Sequence, residues 1–233
     1  SATANNNTIT FNALADGTYS NCTITVTDNA SNTKTLSINS FTIDTVKPVL
    51  AQVTAVPTPS NVNTSSFTFS STKPGTITYG GSCSSSTTTA STNNNTITFN
   101  ALADGTYSNC TVKVTDNASN QSSSLSVSSF IVDTTAPTVS SVSSPTTNGL
   151  YGVNDNITVT VTFSENVIVD NSSGNPRIEL ETGSTDRYAN YTSGNSSTIL
   201  SFLYTAQSGD NSSDLDYKAT NSLSANGGTI RDN

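Results

Sequence analysis

The sequence predicts an all-β chain built from tandem β-sandwich domains, and three observations carry that prediction. The stretch Asn5 to Thr23, NNNTITFNALADGTYSNCT, recurs letter for letter at Asn93 to Thr111, a shift of 88 positions. A self-match at that spacing is the signature of repeated domains. Runs such as TITVT and NITVTVTF alternate apolar and polar residues with period two, as half-buried strands do. No window carries an apolar stripe of helical period, and there is no 18-residue apolar run that could span a membrane as a helix.

The repeat sets the boundaries. The shift of 88 holds through Asn32 and Asn120, then grows by one, so that Phe41 matches Phe130, Asp44 matches Asp133 and Pro48 matches Pro137. FTIDTVKPV and FIVDTTAPTV therefore close successive units. Proline fixes its own φ and holds its neighbour extended, which suits a short stiff joint. The expected organisation is a partial domain over 1–45, a whole domain over 46–135 and a third, different domain over 136–233. In this reading the chain is a section of a longer repetitive protein, lacking the first half of one domain and the last strand of another.

Charge is sparse. Lys, Arg, Asp and Glu make up 10% of the chain, against about a quarter in ordinary globular domains. The eight basic residues are scattered singly and the net charge is −8. Nucleic-acid binding needs clustered cations that displace counterions from phosphates, so that class is excluded. An acidic, hydroxyl-rich surface instead suits a solvated extracellular polymer whose carboxylates can take hard cations.

The repeat also orders the three cysteines. Cys22 and Cys110 are equivalent, and Cys83 lies 27 positions before Cys110. The predicted disulfide is Cys83–Cys110, with the partner of Cys22 lying upstream of Ser1; three unrelated buried thiols are the alternative. A bridge would indicate an oxidising compartment.

Strands are expected near 49–56, 66–70, 76–79, 96–99, 107–115 and 124–132 of the whole copy. Six or seven strands in about 90 residues is the count of an immunoglobulin-like sandwich. Tyr107, just after Gly105, is a candidate corner tyrosine. Its phase is opposite to that of Cys110, Val112 and Val114, so a one-residue bulge is expected between Tyr107 and Cys110, and likewise in the first copy.

GTITYGGSCSSSTT, LADGTYSNCTVKVTDNASN and SFIVDTTAPTV resemble the bacterial Ig-like repeats of very large secreted or surface-anchored proteins. The third domain, with NDNITVTVTFSENVIV, RIELETGSTDRYANYTSG and GDNSSDLDYKATNSLSANGGTIRDN, is similar to a second bacterial Ig-like type. The resemblance implies tandem immunoglobulin-like domains in a linear array, placed outside the cell or on its surface. It does not imply one function, because such repeats serve adhesins, stalks, sheaths and enzyme spacers alike.

Sandwich topology gathers aspartates at the joints. Asp16, Asp44 and Asp116 are expected together at one joint, and Asp104, Asp133 and Asp232 at the next. Carboxylates with amide and backbone oxygens are the donors calcium prefers, and the resemblance implies calcium at domain joints as one use of such residues. The competing reading is turn chemistry, since Asp and Asn side chains bond nearby backbone in LADG and TDNAS turns.

An enzyme is not expected. The chain has no His, which rules out Ser-His-Asp and Cys-His arrangements within it, and it has no phosphate-cradling glycine loop. A glycosidase-type carboxylate pair among Glu165, Glu179, Glu181, Asp214 and Asp216 is outweighed by surface charge, because Glu179 and Glu181 flank Leu180 on one strand face. The leading expectation is a structural spacer or stalk of an extracellular adhesin-type protein. The second is a filament or sheath subunit whose end units are completed by strands of neighbouring chains, and the third a carbohydrate-binding module using Tyr188 and Tyr191. Partners are then adjacent Ig-like domains, of the same or another chain, with any cell-surface or glycan target reached through other domains.

Overall fold

A computed structural model describes residues 2–232. The protein is all-β, with 45% of residues in strands and no helix among the described residues, and its sheets lie in a sandwich-like arrangement. Two compact units, Ser1–Thr134 and Thr135–Asn233, are described separately.

The first unit contains both copies of the repeat. Its first copy forms β1 (Gly17–Tyr19), β2 (Thr23–Thr27), β3 (Thr33–Ser37) and β4 (Phe41–Ile43). The second forms β5 (Leu50–Thr54), β6 (Ser66–Ser71), β7 (Gly75–Gly80), β8 (Thr89–Ala90) and β9 (Asn93–Thr98). It continues with β10 (Gly105–Tyr107), β11 (Thr111–Thr115), β12 (Leu125–Ser126) and β13 (Phe130–Val132). Within the second copy one sheet runs β5-β6-β9, another runs β12-β11-β7-β8, and β10 pairs with β13. Between them lies a core that includes Phe67, Phe69, Ile97, Phe99, Val114 and Phe130, all at most 2% exposed. In β6, Phe67 and Phe69 point in while Ser66 and Thr68 face out, where they meet Thr98 and Thr96 at 2.8 and 3.0 Å.

Identical letters take different structure in the two copies. NNNTIT is strand β9 at 93–98, where it pairs with β6, yet it is not a strand at 5–10. Its local turn survives in both places. The Asn95 side chain accepts from Ser91 N at 2.7 Å, and the Asn7 side chain accepts from Thr3 N at 2.8 Å. Side-chain-to-backbone bonds are encoded locally, whereas a strand requires a partner.

The expected bulge is replaced by a change of sheet. Tyr107 ends β10, paired with β13, and the chain re-enters order at Thr111 in β11, paired with β7 and β12. Leaving one sheet for the other lets Tyr107 stack on Phe130 at 5.3 Å while Cys110, Val112 and Val114 point into the core. The predicted 124–132 strand divides in the same way into β12 and β13. The corner expectation holds in both copies: Tyr107 donates to Ala103 O and Tyr19 to Ala15 O, each at 2.9 Å. Near its end, β13 meets the 58–60 segment in a parallel bridge between Ser60 and Val132. Ser60 N donates to Ile131 O at 3.0 Å and Asp133 N to Ser60 O at 2.9 Å.

The second unit comprises β14 (Val139–Ser143), β15 (Asn156–Asp170), β16 (Arg177–Leu180), β17 (Arg187–Ser193), β18 (Ser197–Thr205), β19 (Leu223–Ser224) and β20 (Thr229–Asp232). The order is β14-β15-β18-β17-β16-β19, and β20 pairs with the far half of β15. The register of β15 on β18 shifts between Thr162 and Val167, which lets this long strand serve both arms. Val161, Val167, Leu200, Phe202 and Ala189 are fully buried in its core.

Candidate functional site

The predicted disulfide Cys83–Cys110 is present, with Cα atoms 5.3 Å apart and both residues buried. Cys22 is a free thiol, partly exposed.

Two of the three aspartates expected at the first joint, Asp44 and Asp116, meet around a lysine that sequence reasoning missed. Lys73 Nζ lies 2.6 and 2.8 Å from the two oxygens of Asp44 and 3.1 Å from Asp116 Oδ2, and it also donates to Val46 O. Asn120 adds a bond from its amide to Asp44 O at 3.0 Å. Residues closing the first copy are thus tied to two turns of the second by a single ammonium. Lys73 is placed there by the end of β6 and by Pro74, which stops the strand. Its partners lie 29 and 43 positions away, so no local pattern betrays it. No local signal singles it out, since Lys47 also stands beside a proline.

Asp16 takes a different place. Its carboxylate accepts from Thr45 N at 3.1 Å and Thr45 Oγ1 at 2.9 Å, and Asp104 accepts likewise from Thr134 at 3.0 and 2.8 Å. These two aspartates clasp the threonine that follows each closing strand. Asp133 donates through its backbone to Ser60, and Asp232 ends β20 opposite Val167. Asp116 also makes the turn bonds expected of TDNAS, accepting from Ala118 N and Asn120 N at 3.0 and 2.9 Å. Asp28 repeats them in the first copy.

Burial works against the Asp116 carboxylate, but the Asn120 amides and the Lys73 ammonium outweigh it and lower its pKa to about 2. The Lys73 pKa is raised, first by its bond to Asp44 and, after an opposing effect of burial, by Asp116. Because the folded Asp116 pKa lies below the unfolded value near 4, its contribution is full above about pH 4 and is lost as pH falls through about 2. Between pH 5 and pH 2 the first unit is expected to lose thermal stability, and Asp116→Asn is expected to flatten that slope. Parallel melting curves for the two proteins would show that the joint does not titrate in this range.

Internal hydrogen bonds show which residue of the second unit corresponds to Lys73. Val49 N donates to Thr72 Oγ1 at 2.9 Å and Thr72 N to Val49 O at 3.1 Å. Thr138 N donates to Ser164 Oγ at 3.0 Å and Ser164 N to Thr138 O at 2.8 Å. The residue after Thr72 is Lys73, and the residue after Ser164 is Glu165. The second domain type therefore carries the opposite charge at the position of the ammonium.

The other sequence candidates separate from one another. Glu179 faces solvent and reaches Lys218 at 3.3 Å, and Lys218 also holds Asp186 at 2.7 Å. Tyr188 is exposed beneath the Arg177 guanidinium at 3.9 Å, whereas Tyr191 turns inward, edge-on to Phe202 at 6.0 Å. The two tyrosines share no platform. A cleft of about 820 Å³ in the second unit lies between the 146–153 and 207–217 segments. Asp210 on its wall binds Arg187 at 3.0 Å and Tyr204 at 2.5 Å. Burial, and then the Asp210 carboxylate, push the Tyr204 phenol up to about 12.

No family model and no curated protein matches this chain.

Proposed function

We propose that this chain is a spacer or stalk segment of a large extracellular bacterial repetitive surface protein of adhesin type, built from tandem immunoglobulin-like domains and without catalytic activity of its own. The observation that supports it is the joint at Lys73. One ammonium between two carboxylates and a backbone carbonyl restrains the Val46–Pro48 connector, as a spacer must if it is to transmit position over distance. Such part-buried, multiply bonded ion pairs hold geometry better than isolated surface pairs. The buried Cys83–Cys110 bridge fits an oxidising, extracellular setting.

Calcium belongs to the same proposal. The sequence suggests Asp104, Asp133 and Asp232 as its ligands at the second joint. Small-angle scattering of the whole chain tests both parts. Lys73→Ala is expected to broaden the distance distribution, and millimolar calcium to narrow it unless Asp133 is changed to Ala. Profiles indifferent to Lys73 would sink the restrained joint. Profiles indifferent to calcium would assign those aspartates to turns alone.

A further inference from the structure

The chain holds two Asn-Gly pairs, Asn148-Gly149 and Asn226-Gly227, and both lie in the second unit. Glycine has no Cβ to shield its nitrogen, so in such a pair the backbone N–H readily reaches the preceding side-chain amide. The two pairs are held very differently. Asn226 and Gly227 form the turn between β19 and β20 with φ of 48° and 90°, and a type I′ turn requires positive values at both central residues. The Asn226 amide donates to Asn175 O at 3.0 Å, its N–H donates to Ser224 Oγ at 3.1 Å, and Gly228 N closes the turn on Ala225 O at 2.9 Å. The turn is also closely packed, since a Cβ at Gly174 would come within 1.9 Å of Asn226 O.

Asn148 and Gly149 carry none of these restraints. Both are exposed in the 144–155 connection between β14 and β15, and Leu150 beside them is fully exposed. Among the described residues, neither the Asn148 amide nor the Gly149 N–H enters a hydrogen bond. A Cβ built on Gly149 would meet nothing closer than 3.9 Å, so the main chain there has room to turn.

We propose that the fold makes Asn148, and not Asn226, a self-modifying site, at which the chain converts its own asparagine to aspartate and isoaspartate. The Gly149 nitrogen gives its proton to solvent base and attacks Cγ of Asn148. The N–Cγ bond forms, the Cγ–Nδ2 bond breaks, and Nδ2 leaves as ammonia. The product is a five-membered succinimide. Water adds to one of its two carbonyls and opens that C–N bond, leaving aspartate or, with one more methylene in the main chain, isoaspartate. No oxidant, reductant or cofactor enters. Asn148 lines the same cleft as Asp210, Asp214 and Asp216, so each conversion puts a further carboxylate where like charges already stand. The fraction converted rises with the age of the chain. This inference stands apart from the spacer reading.

The test is incubation of the whole folded chain in mildly alkaline buffer, followed by peptide mapping with fragmentation that separates isoaspartate from aspartate. Asn148 is expected to convert faster than Asn226 by roughly tenfold or more, because Asn226 must first leave its turn. In denaturant the two are expected to convert at similar rates. Gly149→Val, a position with open space around it, is expected to suppress conversion at Asn148 while leaving the unfolding midpoint in place. Equal rates at the two sites in the folded chain would overturn the proposal, as would conversion at Asn148 that Gly149→Val does not slow. So would a difference that persists in denaturant, since it would then come from the neighbouring residues and not from the fold.

Discussion

Phe130→Ala is expected to destabilise the first unit by about 3–5 kcal/mol, while Phe41→Ala, the same change at the matching position of the repeat, is expected to fall well below that range. Phe130 is 1% exposed and sits between Phe99 at 5.8 Å and Tyr107 at 5.3 Å, so its removal leaves a cavity whose walls are held by two sheets. Phe41 also stacks on Tyr19, at 5.3 Å, but it is only partly buried, and water can enter the space it leaves. Amide hydrogen exchange resolves the two, because peptides from 93–132 report the second copy alone. The Phe130 variant is expected to speed their exchange by roughly a hundredfold or more, taking tenfold per 1.4 kcal/mol. Comparable effects for both phenylalanines would mean that the first copy is as well packed as the second.

Loss of the Cys83–Cys110 bridge is the second large effect. It closes a loop with a sequence separation of 27, and tying such a loop in the unfolded chain stabilises the folded one by roughly 3 kcal/mol on the chain-entropy estimate. Cys83→Ser with Cys110→Ser, or reduction, is expected to lower the denaturant midpoint of the first unit accordingly. Cys22→Ser removes no bridge and is expected to leave the midpoint in place. A double variant as stable as the parent would show that the bridge is dispensable beside the phenylalanine core.

The residues differed in how much they disclosed. Period-two alternation located β6 and β7 closely, whereas the expected 107–115 strand divides into β10 and β11. The repeat disclosed the disulfide, since it made Cys22 and Cys110 equivalents in different copies and left Cys83 as the partner of Cys110 within the whole copy. The sheet change after Tyr107 was visible only as a conflict of phase. A bulge and a crossing both resolve such a conflict, and the choice depends on β7 and β13, which lie far away in sequence. Segment 5–10 shows the same limit from the other side, since its letters match β9 and only the presence of β6 makes them a strand. Lys73 stayed hidden for a related reason. A charge that acts across a joint has no periodicity, and its counterpart Glu165 could be found only through the hydrogen bonds of two domain types whose sequences do not align.

The parallel contact between Ser60 and β13 has a mechanical consequence. A pull on the second copy from Pro48 and from Val132 draws these two segments along their length in opposite senses. The bonds from Ser60 N to Ile131 O and from Asp133 N to Ser60 O then bear the load together, in shear, instead of opening one after another. Once they yield, the chain cannot extend fully, because the Cys83–Cys110 bridge withholds its loop. At about 3.3–3.6 Å per residue, that loop would otherwise add roughly 90 Å of slack. A domain built this way resists a sudden tug and gives out only part of its length when it fails.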